Sequence, residues 1–479
     1  MNKKSVAASA VALLALAYVG GSWMLGKKVE EQYNAQLDKA AAMLGPGKLT
    51  SRSYDRGLFG STSSVVVEID LPPVPPRKSA DGQSSPSAAS QAAPHSVRLT
   101  IENKVRHGPF PEMRLAAAVA ETRVTSIEGI DDATRQAFAK ASAPRMTTVY
   151  DFSGDYTGQA LLPAGEASDP EFTARWQALT YDFSGNAAGT RVEGQMQWPR
   201  LTAQGVGAQS PANMDLSLEG MRSTFDYELP QDGQWLMAAG QVSATIDKMN
   251  VAFARADGSA ATPALTLNDV KVDGKTTRDG DLLDMAQTLV GRGTIAGTEL
   301  DSIRLDMGFK HLDGRALTAL QALATKNAQA ASQGEQISTS GLQQPIAQLM
   351  AAKPEYRAKL SLSYQGQVGE LSWGVVVQGA AAGQTAPDPR MPPQMLLLAA
   401  AQRVEGEATI KLPKSWLPAI AHAADNPDVT PESLVGMLSQ FKAQGMLTED
   451  DKAYSADLKY ANGQALLNGK PLQGIAPRR

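Results

Sequence analysis

The stretch "VRLTIENKVRHGPFP", residues 97–111, shows the pattern that decides the fold. Val97, Leu99 and Ile101 alternate with polar or charged residues. Successive side chains of a strand point to opposite faces, so this period of two predicts a strand with one buried and one wet face. Such one-sided strands are typical of antiparallel sheets. The same alternation recurs in four further segments: "NMDLSLE" (213–219), "SIRLDMGFK" (302–310), "YRAKLSLSY" (356–364) and "LSWGVVV" (371–377).

His107 continues the apolar side of the first strand and is followed by Gly108, Pro109 and Phe110. Proline cannot donate a ladder hydrogen bond, so we predict that the strand ends here in a corner. The chain contains four histidines, and none stands in a His-x-x-x-His, His-x-His or Glu-x-x-His pattern. We therefore interpret His107 as a structural residue at the edge of the core, with no catalytic or metal-binding partner in the sequence.

A second corner is predicted in "SYDRGLFGS", where the chain turns at Gly57 and a new strand follows. Phe59 and Phe110 both come after glycine-containing corners, and we predict that each ring fills its corner. The pairs Asn462-Gly463, Asn468-Gly469 and Asp273-Gly274 have the composition of type I′ hairpin turns.

The remaining local patterns are helices, a bulge and two loops. Between Leu267 and Val270 the apolar residues change from odd to even positions, which predicts a β-bulge. Residues 72–96 and 379–394 are rich in Pro, Ser, Ala and Gly and are predicted to be flexible. Four segments are predicted to be helices, each with an Asp or Thr suited to its N-cap: "DDATRQAFAKAS", "DGDLLDMAQTLVG", "DGRALTALQALATKNAQAA" and "TPESLVGMLSQFKAQG".

Residues 5–25 form a run without charge, long enough for a transmembrane helix, which takes roughly 20 residues. Lys3 and Lys4 precede it and predict a cytoplasmic N-terminus by the positive-inside rule. The resulting organisation is a transmembrane helix at 1–25, a juxtamembrane helix at 26–45 and a β-rich region at 46–479 beyond the membrane.

The alternative for the N-terminal run is a cleaved signal peptide. Residues 15–17, Ala-Leu-Ala, have the small-x-small form that a signal peptidase recognises. Ala17 and Gly21 are spaced for close helix packing, which leaves a membrane homodimer open as a hypothesis.

Composition excludes several function classes. The chain of 479 residues contains no cysteine, which excludes thiol catalysis, disulfides and thiolate metal sites. Its net charge of -4 gives no reason to expect a nucleic-acid partner. "DVKVDG" at 269–274 lacks the ligands of a calcium loop, and no phosphate loop or Gly-x-Ser-x-Gly elbow is present. We find no catalytic constellation, predict no cofactor and expect a protein that is not an enzyme.

Four landmarks together resemble the YdgA-like family of Gram-negative bacterial proteins, a domain of unknown function. They are "GGSWMLGKKVE" at the end of the apolar run, "SYDRGLFGS", "VRHGPFP" and the C-terminal "KYANGQALLNGKPL". The resemblance implies an inner-membrane-anchored, periplasmic, largely β protein. It supplies no catalytic residues.

The sequence thus predicts a mainly β fold with α insertions, in which a large, elongated antiparallel sheet carries several packed helices. The favoured function is a non-enzymatic envelope scaffold or partner-binding protein. One alternative is a protein that binds or transfers lipids or other amphiphiles on an apolar concave sheet face, an architecture that resembles the AsmA-like envelope proteins. The other is a hydrolase whose residues meet only in three dimensions.

Overall fold

The computed structural model describes residues 22, 24–31, 33–35, 37–38, 47–71, 95–130, 143–168, 172–206, 213–231, 234–253, 262–332, 341–378, 403–424, 426, 428–461 and 463–472. These residues form one antiparallel sheet of 22 strands and five helices. The prediction of a mainly β fold built on a large antiparallel sheet is confirmed.

The strands follow one another along the chain in the order β1 Gly47–Arg56, β2 Gly60–Leu71, β3 His95–His107, β4 Ala118–Glu128, β5 Arg145–Tyr150, β6 Tyr156–Leu162, β7 Gly165–Ser168, β8 Phe172–Trp176, β9 Leu179–Gly185, β10 Arg191–Val206, β11 Asn213–Glu228, β12 Ala239–Phe253, β13 Thr262–Asp279, β14 Leu282–Ile295, β15 Thr298–Asp313, β16 Glu355–Tyr364, β17 Gln367–Val377, β18 Val404–Pro413, β19 Thr448–Glu449, β20 Ala453–Ala461, β21 Gln464–Leu467 and β22 Lys470–Pro471.

The first helix, α1, comprises the helical residues 22, 24–31, 33–35, 37 and 38. The others are α2 Gly314–Ser332, α3 Gln343–Ala351, α4 Leu417–Ala423 and α5 Pro431–Ala443. Among the described residues, no helix is both long and apolar enough to cross a membrane. Of the apolar run at 5–25, only residues 22, 24 and 25 are described, and they belong to α1.

The sheet is a meander, in which nearly every strand pairs with the strand before it and the strand after it. At two places the order changes. Strand β9 pairs with β6 and with one half of β10, while the β7–β8 hairpin occupies the other half of β10. Strand β18 pairs with β20, and the short β19 pairs with β20 as well.

The two faces of the sheet differ completely in polarity between β6 and β20. Three register-aligned rows of side chains lie on one face, which we call the apolar face, and none of their residues is charged. The rows are Ala160, Tyr181, Met196, Ser223, Ala244, Val272, Leu289, Leu305, Leu360, Leu371, Ile410, Ala456; Gly158, Phe183, Gly194, Phe225, Val242, Gly274, Gln287, Met307, Ala358, Trp373, Ala408, Leu458; and Tyr156, Gly185, Val192, Tyr227, Gly240, Thr276, Met285, Phe309, Tyr356, Val375, Gly406, Tyr460.

The opposite face, which we call the polar face, carries only polar or charged side chains in the row between the first two. That row is Gln159, Asp182, Gln195, Thr224, Ser243, Asp273, Thr288, Asp306, Lys359, Ser372, Thr409, Asp457. The strict alternation arises because successive side chains of a strand point to opposite faces.

Buried side chains form a cluster at each end of the sheet, and Leu283, Leu300, Ile303 and Ala358 are buried between the two. At the N-terminal end, Val29 of α1 packs on Val105, Ala118 and Ala120, with Tyr150 beside them. At the C-terminal end, Leu417 of α4 and Leu438 of α5 form a second cluster with Tyr454 of β20. The prediction that helices pack on the sheet is confirmed at these two ends.

Two of the four predicted helices are confirmed. Segments 313–331 and 430–445 correspond to α2 and α5, and Thr430 caps α5 in a capping box with Ser433. Residues 131–142 lie outside the described part of the chain. The sequence patterns did not predict α3 and α4.

The predicted helix "DGDLLDMAQTLVG" is wrong, because residues 282–291 belong to β14. Its apolar residues fit the periods of both a helix and a strand. Pairing with β13 on one side and β15 on the other decides in favour of the strand.

The predicted turn at Asp273-Gly274 is also wrong, because both residues lie inside β13. A Cβ atom on Gly274 would come 2.8 Å from Cγ1 of Val242, so the glycine allows close contact between neighbouring strands. The chain turns instead at Gly280, which has a φ of 59°.

The remaining local predictions have mixed outcomes. The bulge is confirmed, since the register of β13 with β14 shifts between Asn268 and Lys271. The turn at Asn468-Gly469 is confirmed by φ angles of 51° and 75° between paired residues of β21 and β22. The loop predicted at 72–96 is wrong at its last two residues, which begin β3. The rest of that loop, and all of residues 379–394, lie outside the described residues.

Candidate functional site: an open apolar sheet face

The apolar face remains accessible between the two buried clusters. Ile410 and Leu371 pair across β17 and β18, and their exposed fractions are 44% and 38%. Met285, Phe309 and Val375 form a second exposed group in the third row. Monomeric proteins rarely expose a large contiguous apolar surface unless it binds something. This face is therefore the leading candidate for a functional surface.

Aromatic rings cover the glycines of this face between β6 and β11. Phe183 lies over Gly158, and Phe225 lies over Gly194, in each case closer than a Cβ atom would allow. Tyr181 stacks between Phe183 and Phe225, with ring centroids 5.4 and 6.0 Å away. The rings thus form a continuous ladder on the sheet, and each glycine leaves room for the ring of the next strand.

The same face has a different character beneath α1. There the inward positions include Ser63 of β2, Asn103 of β3 and Thr122 of β4, and Tyr33 of α1 reaches down to them. Ser63 donates to the Tyr33 hydroxyl at 2.9 Å, and the amide of Asn103 donates to the same oxygen at 3.2 Å. Thr122 in turn donates to the Asn103 carbonyl oxygen at 2.6 Å. The helix is therefore fixed in place by specific hydrogen bonds as well as by apolar packing.

His107 fixes the beginning of α1. Its exposed fraction is 1%, and its Nδ1 lies 3.0 Å from the carbonyl oxygen of Ser22. A carbonyl only accepts, so Nδ1 donates, and the neutral ring then accepts from the Ser61 hydroxyl at Nε2, 3.1 Å away. Burial away from water is the main reason that the pKa of His107 lies below its usual value.

The Ser61–His107 pair has the atom types of a hydrolase dyad, and the sequence patterns did not reveal it. Both side chains are buried, however, and Gly26 of α1 lies directly over the imidazole ring. Ser61 also donates its proton to a histidine whose other nitrogen is held by a backbone carbonyl, with no carboxylate hydrogen-bonded to the ring among the described residues. The arrangement fastens α1 to the sheet and offers no path for a substrate.

The predicted corners lie side by side at this end of the sheet. The Gly57 amide donates to the Gly60 carbonyl at 2.8 Å, and the His107 amide donates to the Phe59 carbonyl at 3.1 Å. Gly108 follows with a φ of 134°. The amide of Gly108, the residue after β3, donates to the carbonyl oxygen of Ala117 at 3.1 Å. Pro109 then ends the ladder.

The two phenylalanine rings are not corner plugs. Phe59 and Phe110 have exposed fractions of 46% and 57%, so both rings face outward. At the other end of the chain, Gly463 has a φ of 75° between paired residues of β20 and β21, while Asn462 lies outside the described residues.

The depressions of the sheet lie on its polar face. The largest has a volume of 730 Å³ and crosses β5, β6, β9, β10 and β11, and a second of 530 Å³ continues over β12, β13 and β14. Asp182 joins its neighbours there, accepting from Gln159 at 2.8 Å and from Gln195 at 3.2 Å. Polar side chains thus line both depressions, whereas Leu371, Val375 and Ile410 make the apolar face an open surface.

Within the described ranges, no group of His, Asp and Glu side chains is arranged to hold a metal ion. An apolar smaller cavity of 220 Å³ lies between α1 and the sheet, lined by Val29, Tyr33, Leu37, Val105 and Tyr150 among others. It belongs to the packing of α1. The open apolar face is much larger than any enclosed site of this chain that the structure describes.

Comparison with known proteins places the chain in a family. The family model described as a bacterial protein of unknown function, DUF945, matches residues 1–473. The chain belongs to this family. The resemblance to YdgA-like proteins is thereby confirmed, and the family description states no activity.

Two relatives show how far the sequences have diverged. The chain is similar to Protein YdgA of Escherichia coli, with 26% identity over 175 residues, which are 34% of this chain and 32% of that protein. The match thus spans about a third of the relative. An uncharacterized protein of Haemophilus influenzae is 21% identical over 343 residues, covering 67% of this chain and 85% of the relative. No solved structure matches the chain.

Proposed function

We propose that this chain is a non-enzymatic binding protein of the bacterial cell envelope, and that its apolar face holds the acyl chains of an amphiphile. The observation that carries the proposal is the uncharged, accessible surface between β9 and β20. This is the alternative that the sequence left second to a protein scaffold.

The dimensions of the face suit hydrocarbon chains. Eleven hydrogen-bonded strands, β9 to β18 and β20, span ten intervals of about 4.8 Å, or roughly 48 Å in total. The hydrocarbon core of a whole bilayer is about 30 Å thick, so acyl chains of one leaflet are considerably shorter than the face is wide. Several chains can therefore lie against it side by side.

The chemistry of the face favours hydrocarbon over a folded protein partner. Where this chain's own helix α1 covers the sheet, Ser63, Asn103 and His107 provide hydrogen bonds that fix its position. Protein interfaces usually contain about one hydrogen bond per 100–200 Å². The three rows of the open face contain no charged residue, and their hydrogen-bonding side chains are Ser223, Thr276, Gln287, Trp373 and five tyrosines. A surface that consists mostly of aliphatic and aromatic groups and carries no charge suits the acyl chains of an amphiphile.

The N-terminal sequence supports a setting for this function. We propose that the apolar run at residues 5–25 tethers the chain to the inner membrane and that the sheet lies in the periplasm. The apolar run and the preceding Lys3 and Lys4 support this arrangement. A tether of this kind would keep the apolar face close to a source of amphiphiles.

Photo-crosslinking tests the proposal directly. The full chain is reconstituted in vesicles that contain a phospholipid with a diazirine near the end of its acyl chain, and adducts are located by peptide mass spectrometry. We expect adducts on β14 to β18. Leu371→Glu should greatly reduce them, because a charge at the centre of the face repels hydrocarbon.

Val368→Glu is the matched control. Val368 is on the same strand as Leu371, has an exposed fraction of 45%, and lies on the polar face. It should leave the adducts unchanged. Equal labelling of Leu371→Glu and the unaltered chain would reject the proposal, and protection of the face by a copurifying protein instead of lipid would restore the scaffold interpretation.

A further inference from the structure

A separate exposed apolar surface lies at the end of the sheet where α1 begins. We call it the corner patch, and it consists of Met24, Leu58, Phe59, Phe110, Met113 and Leu115. Met113 has an exposed fraction of 97% and Leu115 of 73%. These side chains come from three stretches of the chain that meet at one corner, and the apolar face and its proposed ligand do not include them.

Hydrogen bonds hold the three stretches together. His107 bonds to the backbone of Phe59 through its amide and to the backbone of Ser22 through its ring. Gly108 bonds to Ala117, which closes the loop that carries Phe110, Met113 and Leu115. The corner patch is therefore displayed on a fixed frame, and the exposed fractions of Met24, Phe110, Met113 and Leu115 are all above one half.

The backbone beneath Met113 is strained. Glu112 and Met113 are consecutive non-glycine residues with φ angles of 53° and 61°, in the left-handed region. Such conformations are unfavourable for residues other than glycine and persist where the surroundings enforce them, often at binding sites. Here a 3.3 Å ion pair from Arg106 to Glu112 supports the turn. As a result, the side chain of Met113 projects away from the protein.

The occupant that suits this surface is a lipid bilayer. Most of these side chains project from loops, and aromatic and long apolar residues are those that enter the interface of a membrane. Lys27, Lys28 and Arg114 lie close to them in the chain and are exposed, as required for contact with anionic headgroups. Residues 5–21, an uncharged apolar run, lead directly into Ser22 at this corner.

We infer that the corner patch inserts into the headgroup region of the membrane and orients the sheet relative to the bilayer. The inference concerns a second contact of the protein with lipid, which is independent of acyl chains on the apolar face. Insertion to a depth of roughly 5–10 Å is typical of such interfacial segments.

Site-directed fluorescence tests the inference, and the absence of cysteine makes single labelling simple. The full chain carrying Phe110→Cys, Met113→Cys or Leu115→Cys is labelled with an environment-sensitive fluorophore and reconstituted in vesicles of phosphatidylethanolamine and phosphatidylglycerol. We expect a blue-shifted emission and a loss of roughly half the intensity to nitroxides attached at a shallow lipid depth.

Two controls separate insertion from mere proximity. Met437→Cys carries the label on α5, where Met437 is also an exposed methionine, and Asp55→Cys carries it on β1 two residues before Gly57. Both labels should remain accessible to aqueous iodide. Adding Met113→Asp to the chain labelled at residue 115 should restore iodide quenching there.

The inference is overturned if the labels at 110, 113 and 115 are quenched by iodide as strongly as the label at 437. It is also overturned if they are shielded only after other envelope proteins are added to the vesicles, because the patch would then bind a protein. Neither result depends on whether acyl chains occupy the apolar face.

Discussion

One face of a single sheet is used in two ways in this protein. Beneath α1, it contains hydrogen-bonded serine and histidine side chains that are buried, and hydrogen-bonded asparagine and threonine side chains that are half-buried. Between β9 and β20 it is almost entirely apolar, yet it is accessible. The open part thus presents a contiguous apolar surface, which is unusual in a folded protein.

The difference indicates what each part binds. A helix of defined position needs directional contacts, and a buried polar group is tolerated only when its hydrogen bonds are made. A surface without such groups cannot fix the position of its occupant. The covered part is therefore suited to one permanent neighbour, and the open part to an exchangeable and fluid one.

The largest expected effect comes from placing a charge in the covered part. Val105→Asp should cost about 3–5 kcal/mol of unfolding free energy, because Val105 is 4% exposed and the aspartate would have no partner. Leu371→Asp, on the open part, should cost about 1 kcal/mol. Urea unfolding of both full-length variants checks the contrast. Equal losses would mean that the apolar face over β17 is covered in the folded protein.

A smaller effect is expected where α1 crosses the histidine. A Cβ atom at Gly26 would come 2.5 Å from Cε1 of His107, whose ring is held at both nitrogens, so Gly26→Ala should cost about 2 kcal/mol. Gly436 of α5 has no atom within 4 Å of the same position, and Gly436→Ala should gain about 0.5–1 kcal/mol. Thermal unfolding measures both. A stable Gly26→Ala variant would show that α1 is not seated on the ring.

The smallest effect is a dependence on pH. Desolvation lowers the pKa of His107 in the folded protein, and the charge of Arg56 acts in the same direction. The unfolded chain takes up the proton at the ordinary pKa of 6.5, so it binds more protons than the folded chain just below that value. The docking of α1 should be strongest above this pH and weaken as the pH falls through it.

Hydrogen exchange of residues 24–31 between about pH 7.5 and about 5.5, corrected for the intrinsic rate, measures this dependence. The matched variant is His107→Asn, in which the dependence should disappear. A change of the same size in both proteins would assign it to another group.

The strands were largely predictable from the sequence because one-sided strands leave a period of two. The errors are informative. The pair Asp273-Gly274 resembles a turn in the sequence. In the structure Gly274 lies inside β13, where the absence of a side chain leaves room for Val242 of the paired strand β12. In β14 the apolar residues fit both periods, so neighbouring strands decided the outcome.

The site was predictable in part. Ser61 and Ser63 continue the inward positions of Val65 and Val67, so the sequence did contain an indication of buried polar residues in β2. Asn103 similarly interrupts the inward row of β3. Whether an apolar face is covered or open was not predictable, because alternation is the same in both cases. That distinction depends on where the helices pack.

The order of strands in the meander has a consequence for how the protein is made. Most new strands find a pairing partner already present in the strand that preceded them, so the sheet can grow from one edge during synthesis of the chain. The exception is α1, whose Ser22 must wait for His107, 85 positions later. The earliest helix of the chain is thus locked only after the first three strands have assembled, and growth then proceeds in one direction.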